Sequence, residues 1–223
     1  MTLSQRALLL VALAIAFAVL TAGVAAGSLD GADIWVATAF QQHVYRPALE
    51  VPAQAVALLG GVEVTFGLAA ILFAFLWQAG YRLQSLAVLA LPLATGLEEL
   101  YKVVVFHPAP GGRLAHADGP SITDLFTGTG HAGNSYPSGH VTRALVIYGL
   151  SAFVVYRLAE SERRGAIAVA AAIVILAAVA FDRIFLEVHW LSDVVGAMLL
   201  GGVCLLAAMF WLDLAPRIFK RAR

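Results

Sequence analysis

Residues 136–156 read Tyr-Pro-Ser-Gly-His-Val-Thr-Arg-Ala-Leu-Val-Ile-Tyr-Gly-Leu-Ser-Ala-Phe-Val-Val-Tyr, a short polar turn followed by a long apolar run. Pro137 and Ser138 stand immediately before the run, where helices commonly begin, and Ser138 is the expected N-cap. The run from His140 to Tyr156 has about the length needed to cross a bilayer. This stretch therefore predicts a transmembrane helix that starts at the turn.

The composition of the whole chain is that of an integral membrane protein. Of its 223 residues, 61% are hydrophobic and only 13% are charged, and the mean hydropathy is +0.86. A soluble domain of this size could not bury so much apolar surface. The formal net charge of zero argues against a nucleic-acid partner. The single cysteine, Cys204, cannot form an intramolecular disulfide. We expect one membrane domain over residues 1–223.

Five other apolar runs are also long enough to form membrane-spanning helices. In order along the chain they are residues 8–26, 62–78, 83–106, 165–185 and 190–212. Together with the run described above, they predict an all-α bundle of six transmembrane helices. The first run has a second interpretation as a cleaved signal peptide, because small residues follow it at 22–28.

Three connecting segments differ in composition from the spans. Residues 30–47 mix apolar and polar positions, which predicts a helix lying at the membrane interface. Gly60-Gly61 predicts a bend ahead of the second span. Residues 107–137 are polar and rich in glycine and proline, which predicts a surface loop of the kind that often carries function.

The distribution of basic residues predicts the orientation in the membrane. With a cytoplasmic N-terminus, the cytoplasmic connections would hold nine basic residues: Arg6, Arg82, Arg157, Arg163, Arg164, Arg217, Lys220, Arg221 and Arg223. The opposite side would hold the other five: Arg46, Lys102, Arg113, Arg143 and Arg183. Because basic residues are retained on the cytoplasmic side, we expect a multi-pass plasma-membrane (inner-membrane) protein with the second group extracytoplasmic.

Residues suited to binding an anion gather at the outer ends of the third to sixth spans. In chain order they are Lys102, Ser138, Gly139, His140, Arg183, His189 and Asp193. Free amide groups in the first turn of the fourth span attract anions, and Gly139 lets an anion approach the backbone closely. His189 and Asp193 are four residues apart, so the carboxylate can orient the imidazole. Together these features predict a phosphate site with two histidines.

This convergence requires a break between the fifth and sixth spans. Arg183 and His189 are six residues apart, and on one continuous helix their side chains would point in different directions. The boundary near Glu187-Val188 permits the necessary break. The sequence therefore predicts a helix end between Arg183 and His189.

Three motifs in these regions resemble those of the type-2 phosphatidic-acid phosphatase superfamily, which includes vanadium haloperoxidases and glucose-6-phosphatase. The family motifs are Lys-x6-Arg-Pro, Pro-Ser-Gly-His and Ser-Arg-x5-His-x3-Asp. The corresponding segments of this chain are residues 102–110, 137–140 and 182–193, in the same order. The resemblance covers approximately residues 62–212.

The resemblance implies hydrolysis of a lipid phosphomonoester or diphosphate, most readily undecaprenyl diphosphate or a phosphatidic-acid-like lipid, at the extracytoplasmic leaflet. It implies that His189 attacks phosphorus to form a phosphohistidine, that Asp193 orients His189, and that His140 protonates the leaving oxygen. Four other matched residues would hold the phosphate: Lys102, Ser138, Gly139 and Arg183. The resemblance implies that this hydrolysis proceeds without a metal, and no cofactor is expected.

The chain departs from the family pattern at two positions. Ala109 stands where the first motif has arginine, and Asp182 stands where the third motif has serine. Arginine matches phosphate geometry, so its loss removes an expected ligand. We expect Arg143, one turn after His140, to supply the missing cation, with Arg113 as the second choice. A structural ion pair is the alternative role for Arg143.

Some polar residues stay open to more than one interpretation. Glu98 is four residues before Lys102 and is expected either to position that lysine or to pack at a wet cavity. The histidines of the 107–137 loop are more readily explained as loop residues than as catalysts: His107, His116 and His131. A metal site formed by loop residues 116, 118, 124 and 131 is not indicated by their spacing. The oligomeric state is not indicated either.

Two other functions remain compatible with the sequence. The same phosphohistidine could pass its phosphate to another lipid, which would make the protein a phosphotransferase. Alternatively, the loss of the motif arginine at Ala109 is compatible with a non-catalytic lipid-binding or transport protein. The retention of two histidines with an orienting carboxylate favours an enzyme over the latter.

Overall fold

The computed structural model describes residues 3–111 and 134–214. These residues are predominantly helical and contain no strand, so the predicted all-α fold is confirmed. Their α-helices are α1 (Leu3–Ala25), α2 (Asp30–Ala39), α3 (Glu50–Gly60), α4 (Val62–Gln78), α5 (Arg82–Ser85), α6 (Ala90–Val104), α7 (Gly139–Leu158), α8 (Glu162–Phe185) and α9 (Leu191–Leu214). A π-helical turn at Phe40–Val44 and 3-10 turns at Pro47–Leu49 and Leu86–Leu89 join some of them.

The described part of the chain contains six candidate spans if one broken helix pair is counted as a span. Five continuous helical segments of the described residues are long and apolar enough to cross a membrane: Ser4–Ala25, Arg82–Val104, Gly139–Leu158, Glu162–Phe185 and Leu191–Leu214. The sixth consists of Pro47–Gly60 and Val62–Gln78, which meet at an angle of 41°. The bend predicted at Gly60-Gly61 is therefore confirmed, and it divides the second span.

The third span does not begin as a continuous α-helix, although its apolar sequence is continuous. Residues 86–89 form a 3-10 turn before α6 starts at Ala90. Pro92 explains the irregularity, because proline lacks an amide hydrogen and its ring clashes with the preceding turn of a continuous α-helix. Placing Pro92 in the first turn of α6 avoids that cost.

The first apolar run is an integral part of the bundle. Helix α1 packs against α9, and Phe17 stacks on Tyr136 at the entry to α7. Thr21 Oγ1 lies 2.8 Å from the Tyr136 hydroxyl. Burial raises the pKa of Tyr136 to about 12, so its hydroxyl remains protonated for this hydrogen bond. The α1 helix thus supports the segment that leads into the candidate site.

Polar and apolar side chains are distributed as expected for a membrane bundle. Large apolar residues face outward along the spans, as Leu8, Ile15, Ile71 and Val174 illustrate. Among the residues that the structure describes, six charged side chains are buried instead: Asp33, Glu98, Arg143, Asp182, Arg183 and Asp193. Charges inside a membrane domain are costly unless they are paired, and they commonly mark functional sites. We call the end of the bundle where they collect the site end.

The opposite end, called the far end here, has its own ion pairs. Asp213 near the end of α9 contacts Arg6 of α1 and Arg157 of α7. The indole nitrogen of Trp211 donates to the Leu83 carbonyl at 2.7 Å, which joins α9 to the start of the third span. These contacts connect the helix ends that the basic-residue distribution assigns to one side of the membrane.

Candidate active site

The entry to α7 is fixed by two short chain segments that pair with each other. Pro108 and Asn134 form an isolated antiparallel bridge. The Ser135 amide donates to the His107 carbonyl at 2.8 Å, and the Asn134 side chain donates to the Lys102 carbonyl at 2.9 Å. The end of α6 and the start of α7 are thereby held together.

Ser138 occupies the N-cap position of α7 without acting as a side-chain cap. Its backbone is extended, with φ −69° and ψ 115°, and its hydroxyl makes no capping hydrogen bond. The predicted helix start is therefore confirmed, but capping by the Ser138 hydroxyl is not found. Ser138 Oγ is buried and has no hydrogen-bond partner among the described residues. Because an unpartnered buried hydroxyl is costly, this atom is suited to receive a ligand.

Glu98 is a fully buried carboxylate that holds two cations beside the start of α7. One oxygen contacts Lys102 Nζ, and the other lies 3.1 Å from Arg143 Nη1. Gly139 packs directly on this carboxylate, since a Cβ at that position would lie 2.6 Å from Glu98 Cδ. Of the two roles considered for Glu98, the structure supports positioning of the lysine.

Gly60, at the break of the second span, seats both His140 and Arg143. A Cβ on Gly60 would lie 2.8 Å from His140 Cβ and 2.9 Å from the His140 carbonyl oxygen, so only glycine allows this approach. The Gly60 carbonyl accepts a hydrogen bond from Arg143 Nε at 3.2 Å. The bend between α3 and α4 therefore contributes directly to the geometry of the site.

Arg143 forms the ion pair that the sequence analysis gave as its alternative role. Its guanidinium is buried and contacts Glu98 and the Gly60 carbonyl. These contacts place the arginine beside His140, as its spacing predicted. These two hydrogen bonds use only some of the five N–H donors of the guanidinium. A further role of Arg143 as a phosphate ligand stays a prediction.

Arg183 lies at the end of α8 and is fully buried. Its Nε donates to Asp182 Oδ2 at 3.0 Å, so the serine-to-aspartate departure supplies a carboxylate partner for the arginine. The helix ends at Phe185, and Glu187 has a φ of 55°. The His189 amide then donates to the Arg183 carbonyl at 3.2 Å, which brings the two residues together. The predicted break is confirmed.

Asp193 lies in the first turn of α9 and contacts two histidines. Asp193 Oδ2 is 3.3 Å from His189 Nδ1 and accepts the Trp190 amide at 2.9 Å. Asp193 Oδ1 is 2.9 Å from His107 Nδ1. The predicted contact between His189 and Asp193 is present, although His189 precedes the helix rather than forming part of it.

The remaining histidine closes the cluster. His140 lies against Gly60, whose carbonyl binds Arg143, and the Ser138 amide donates to the Asp193 carbonyl at 3.1 Å. His140, His189 and Lys102 are half-buried. The carboxylates that contact Lys102 and His189, Glu98 and Asp193, are fully buried. The structure thus brings together all eight predicted site residues: Lys102, Ser138, Gly139, His140, Arg143, Arg183, His189 and Asp193. Three cationic side chains, each paired with a buried carboxylate, lie here beside two imidazoles and a helix N-terminus. These groups together offer donors suited to an anionic group.

Two polar residues near the site were not expected from the sequence. His107 was interpreted as a loop residue, but it is buried and bonded to Asp193. Burial alone would lower its pKa, but the hydrogen bond and charge of Asp193, with the charges of Asp33 and Asp30, raise it overall. Asp33 is buried, although the neighbouring Ile34 and Trp35 are exposed. These exposures are known only from the structure, so no signal in the sequence identifies Asp33.

Some predicted positions cannot be related to the site. Ala109 is exposed at the site end and offers no charged group. The second-choice cation, Arg113, and the possible metal-site positions 116, 118, 124 and 131 lie outside the described residues.

Comparisons with known proteins agree on one family. The family model described as "PAP2 superfamily" matches residues 82–217. The chain is also similar to the crystal structure of a transmembrane PAP2-type phosphatidylglycerolphosphate phosphatase from Bacillus subtilis. That likeness has a TM-score of 0.78 and 21% sequence identity, covering 94% of this chain and 98% of the other. No curated protein matches the sequence.

Proposed function

Because this chain belongs to the PAP2 superfamily and is a phosphoric-ester hydrolase, we propose that it removes phosphate from a membrane lipid at the extracytoplasmic leaflet. The observation that carries the proposal is the meeting of the turns that bear His140 and His189, since the Ser138 amide donates to the Asp193 carbonyl at 3.1 Å. Three cationic side chains lie at the same end of the bundle: Lys102, Arg143 and Arg183. The lipid-phosphatase class follows from the family. The phosphohistidine, the leaflet and the lipid are parts of the proposal.

The first step of the proposed reaction uses His189 as the nucleophile. Asp193 as a carboxylate can only accept hydrogen bonds, so the His189 Nδ1 that faces it carries the hydrogen. His189 Nε2 is then left with a free electron pair. This nitrogen attacks phosphorus, the bond from phosphorus to the lipid oxygen breaks, and the leaving oxygen takes a proton from His140.

The second step releases phosphate. Water gives a proton to His140 and attacks the phosphohistidine, and the nitrogen–phosphorus bond breaks. His140 and His189 therefore return to their starting states. Negative charge on the phosphoryl oxygens would be stabilised by Lys102, Arg183 and the first-turn amides of α7. No metal is required for this sequence of steps.

The buried hydroxyl of Ser138 supports the proposed phosphate position. Its oxygen has no hydrogen-bond partner among residues 3–111 and 134–214, so it could donate a hydrogen bond to a phosphoryl oxygen. Arg143 is proposed as a further phosphate contact, made through donors that its bonds to Glu98 and Gly60 do not use. The Arg143→Ala variant should then raise KM for the lipid phosphate.

A lipid substrate is proposed from the position of the site. The cluster lies at the ends of the spans, which are at the depth of the lipid headgroups and not in the hydrocarbon interior. The similar Bacillus subtilis protein is described as a phosphatidylglycerolphosphate phosphatase. Undecaprenyl diphosphate, phosphatidic acid and phosphatidylglycerol phosphate are the candidate substrates.

Phosphate release from these three lipids in detergent micelles tests the function. We expect release without any acceptor lipid and in the presence of a chelator, and at least about a 10³-fold loss of kcat in His189→Ala. His140→Ala should lose about 10²- to 10⁴-fold. Transfer of phosphate that depends on an acceptor lipid would instead favour a phosphotransferase, and undiminished release by His189→Ala would refute the mechanism.

The leaflet is tested by labelling intact cells with a membrane-impermeant maleimide. Ala109→Cys introduces a thiol at an exposed position of the site end. Glu160→Cys provides the matched far-end control, because that side chain is 85% exposed. The native Cys204 is buried. Labelling of position 109 alone is expected, and labelling of position 160 alone would reverse the orientation.

A further inference from the structure

His107 contacts the side of Asp193 that His189 leaves free. His107 Nδ1 is 2.9 Å from Asp193 Oδ1, and His189 Nδ1 is 3.3 Å from Asp193 Oδ2. Each carboxylate oxygen is thus paired with a different imidazole. We propose that His107 is a positioning residue for phosphoryl transfer, whose Nδ1–H holds Asp193 in the orientation that aligns His189. This inference rests on the proposed phosphatase function.

The contacts around His107 show that it can act as a fixed support. Its amide donates to Asn134 Oδ1 at 3.2 Å, and its carbonyl accepts the Ser135 amide at 2.8 Å. The imidazole lies between aromatic rings, 6.3 Å from Tyr136 and 6.4 Å from Trp190 between centroids. Both the backbone and the ring of His107 are therefore restrained on several sides.

Trp190 also anchors the chain segment that carries His107. Its indole nitrogen donates to the Pro108 carbonyl at 2.7 Å, and its amide donates to Asp193 Oδ2. The residue between His189 and α9 consequently holds both the loop segment and the carboxylate. This arrangement fixes the position of His107 relative to Asp193.

Asp33 provides a second carboxylate on the far side of the His107 ring. Asp33 Oδ2 is 3.9 Å from His107 Nε2, too long for a hydrogen bond but close enough for electrostatic attraction to a protonated ring. Both Asp33 oxygens accept hydrogen bonds from Ser192, at 2.8 Å from its amide and 2.6 Å from its hydroxyl. Helix α2 is thereby attached to the first turn of α9.

The resulting order of groups is Asp33, His107, Asp193 and His189. Asp193 is fully buried, so loss of the His107 hydrogen bond would leave a buried acceptor with fewer donors. The carboxylate would then reorient toward other donors and release the His189 ring from its alignment. Because small displacements of a reacting group reduce rates strongly, the effect should fall on kcat rather than on lipid binding.

Three substitutions of His107 separate a hydrogen-bonding role from a packing role. An asparagine amide nitrogen can take about the place of imidazole Nδ1, whereas a glutamine amide nitrogen falls near Nε2. His107→Asn should therefore keep the bond to Asp193, and His107→Gln should lose it. His107→Leu fills space without any donor.

We expect His107→Gln and His107→Leu to lower kcat for lipid phosphate hydrolysis by about 10- to 100-fold, the loss of one charge-assisted hydrogen bond, with KM within about twofold of the parent. His107→Asn should retain at least about a third of the parent kcat. Thermal unfolding of each variant in micelles accompanies the kinetics. If His107→Leu does not fold, the comparison of asparagine with glutamine still gives the answer.

Equal kcat values for the asparagine and glutamine variants would overturn the positioning role, as would parent-like kcat in His107→Leu. His189→Ala, assayed in parallel, separates this result from the proposed function. An inactive His189→Ala beside indifferent His107 variants would leave the phosphatase mechanism intact and refute only the role of His107. An active His189→Ala would refute the mechanism itself.

Discussion

Each end of the bundle has one carboxylate held between two cations, but the two clusters differ in burial. At the site end, Glu98 is fully buried between Lys102 and Arg143. At the far end, Asp213 contacts Arg6 and, at 2.5 Å, Arg157, with all three side chains partly exposed. The same arrangement of charges therefore lies in two different dielectric environments.

The buried Glu98 cluster supports the site residues, whereas the partly exposed Asp213 cluster joins helix ends near the surface of the bundle. The cations of the far end lie over the Phe153 ring, where they also gain contact with an aromatic face. At the site end, Arg143 binds the carbonyl of Gly60, which lies against His140, and Glu98 itself packs on Gly139. A buried ion pair is costly to break, whereas an exposed pair contributes little. Burial therefore determines which cluster the protein depends on.

The largest difference between the two ends should come from Glu98→Gln. This change leaves Lys102 and Arg143 without their shared counter-charge in a buried place. We expect a loss of about 3–5 kcal/mol in the free energy of unfolding, measured by denaturant titration in micelles. Phosphate release should fall in parallel, because both cations lose their positions. A variant as stable as the parent would show that Glu98 is not essential to the scaffold.

A smaller effect is expected from Gly60→Ala. The added methyl group would lie 2.8 Å from His140 Cβ, so either the helix or the histidine must move. We expect a destabilisation of about 1–3 kcal/mol and a reduced kcat. The matched control is Gly67→Ala on α4, where a Cβ would meet nothing within 4 Å. Equal kcat for the two variants would contradict the proposed seat for His140.

The next largest difference between the site end and the far end should be in how the free energy of unfolding depends on pH. The pKa of His107 is raised above its usual 6.5 despite burial, because Asp193 bonds to it and Asp33 and Asp30 add negative charge. Its stabilising contribution is therefore complete below pH 6.5 and is lost as the pH rises through the pKa in the folded protein.

Unfolding of the parent and of His107→Asn from pH 5.5 to 8.5 measures this contribution. The stability difference between them should shrink by about 1 kcal/mol as the pH rises, because a charged hydrogen bond becomes a neutral one. Arg6→Gln at the far end should give a difference that is independent of pH, since arginine does not titrate in this range. A pH-independent difference for His107→Asn would contradict a protonated His107.

The smallest effect should come from Asp213→Asn. Partly exposed ion pairs contribute about 0–1 kcal/mol, and this cluster touches no site residue. We expect unchanged phosphate release and a stability within about 1 kcal/mol of the parent. A large loss of activity would mean that the far end is coupled to the site.

Sequence patterns predicted the membrane spans and the ends of the helices that carry the site. Apolar run length is a direct consequence of bilayer thickness, so the spans could be identified locally. The break between Arg183 and His189 could also be inferred, because the two side chains cannot converge on a continuous helix. These predictions needed only spacing and hydropathy.

The supporting contacts could not be predicted in the same way. The approach of Gly60 to His140 and the hydrogen bonds of Asp33 to Ser192 join residues distant in sequence. Such contacts depend on how the helices pack, which no local periodicity specifies. His107 was underestimated for the same reason, since its partner Asp193 lies 86 residues away.

The proposed mechanism requires the phosphoryl group to be transferred to His189 before phosphate is released. A single rapid-quench experiment with ³²P-labelled lipid phosphate, kept alkaline to preserve any phosphohistidine, would follow both protein label and free phosphate in the parent and in His189→Ala. In the parent we expect acid-labile label on the peptide that contains His189. In His189→Ala we expect neither label nor phosphate release above background. Phosphate release from His189→Ala at the parent rate would contradict the proposed mechanism.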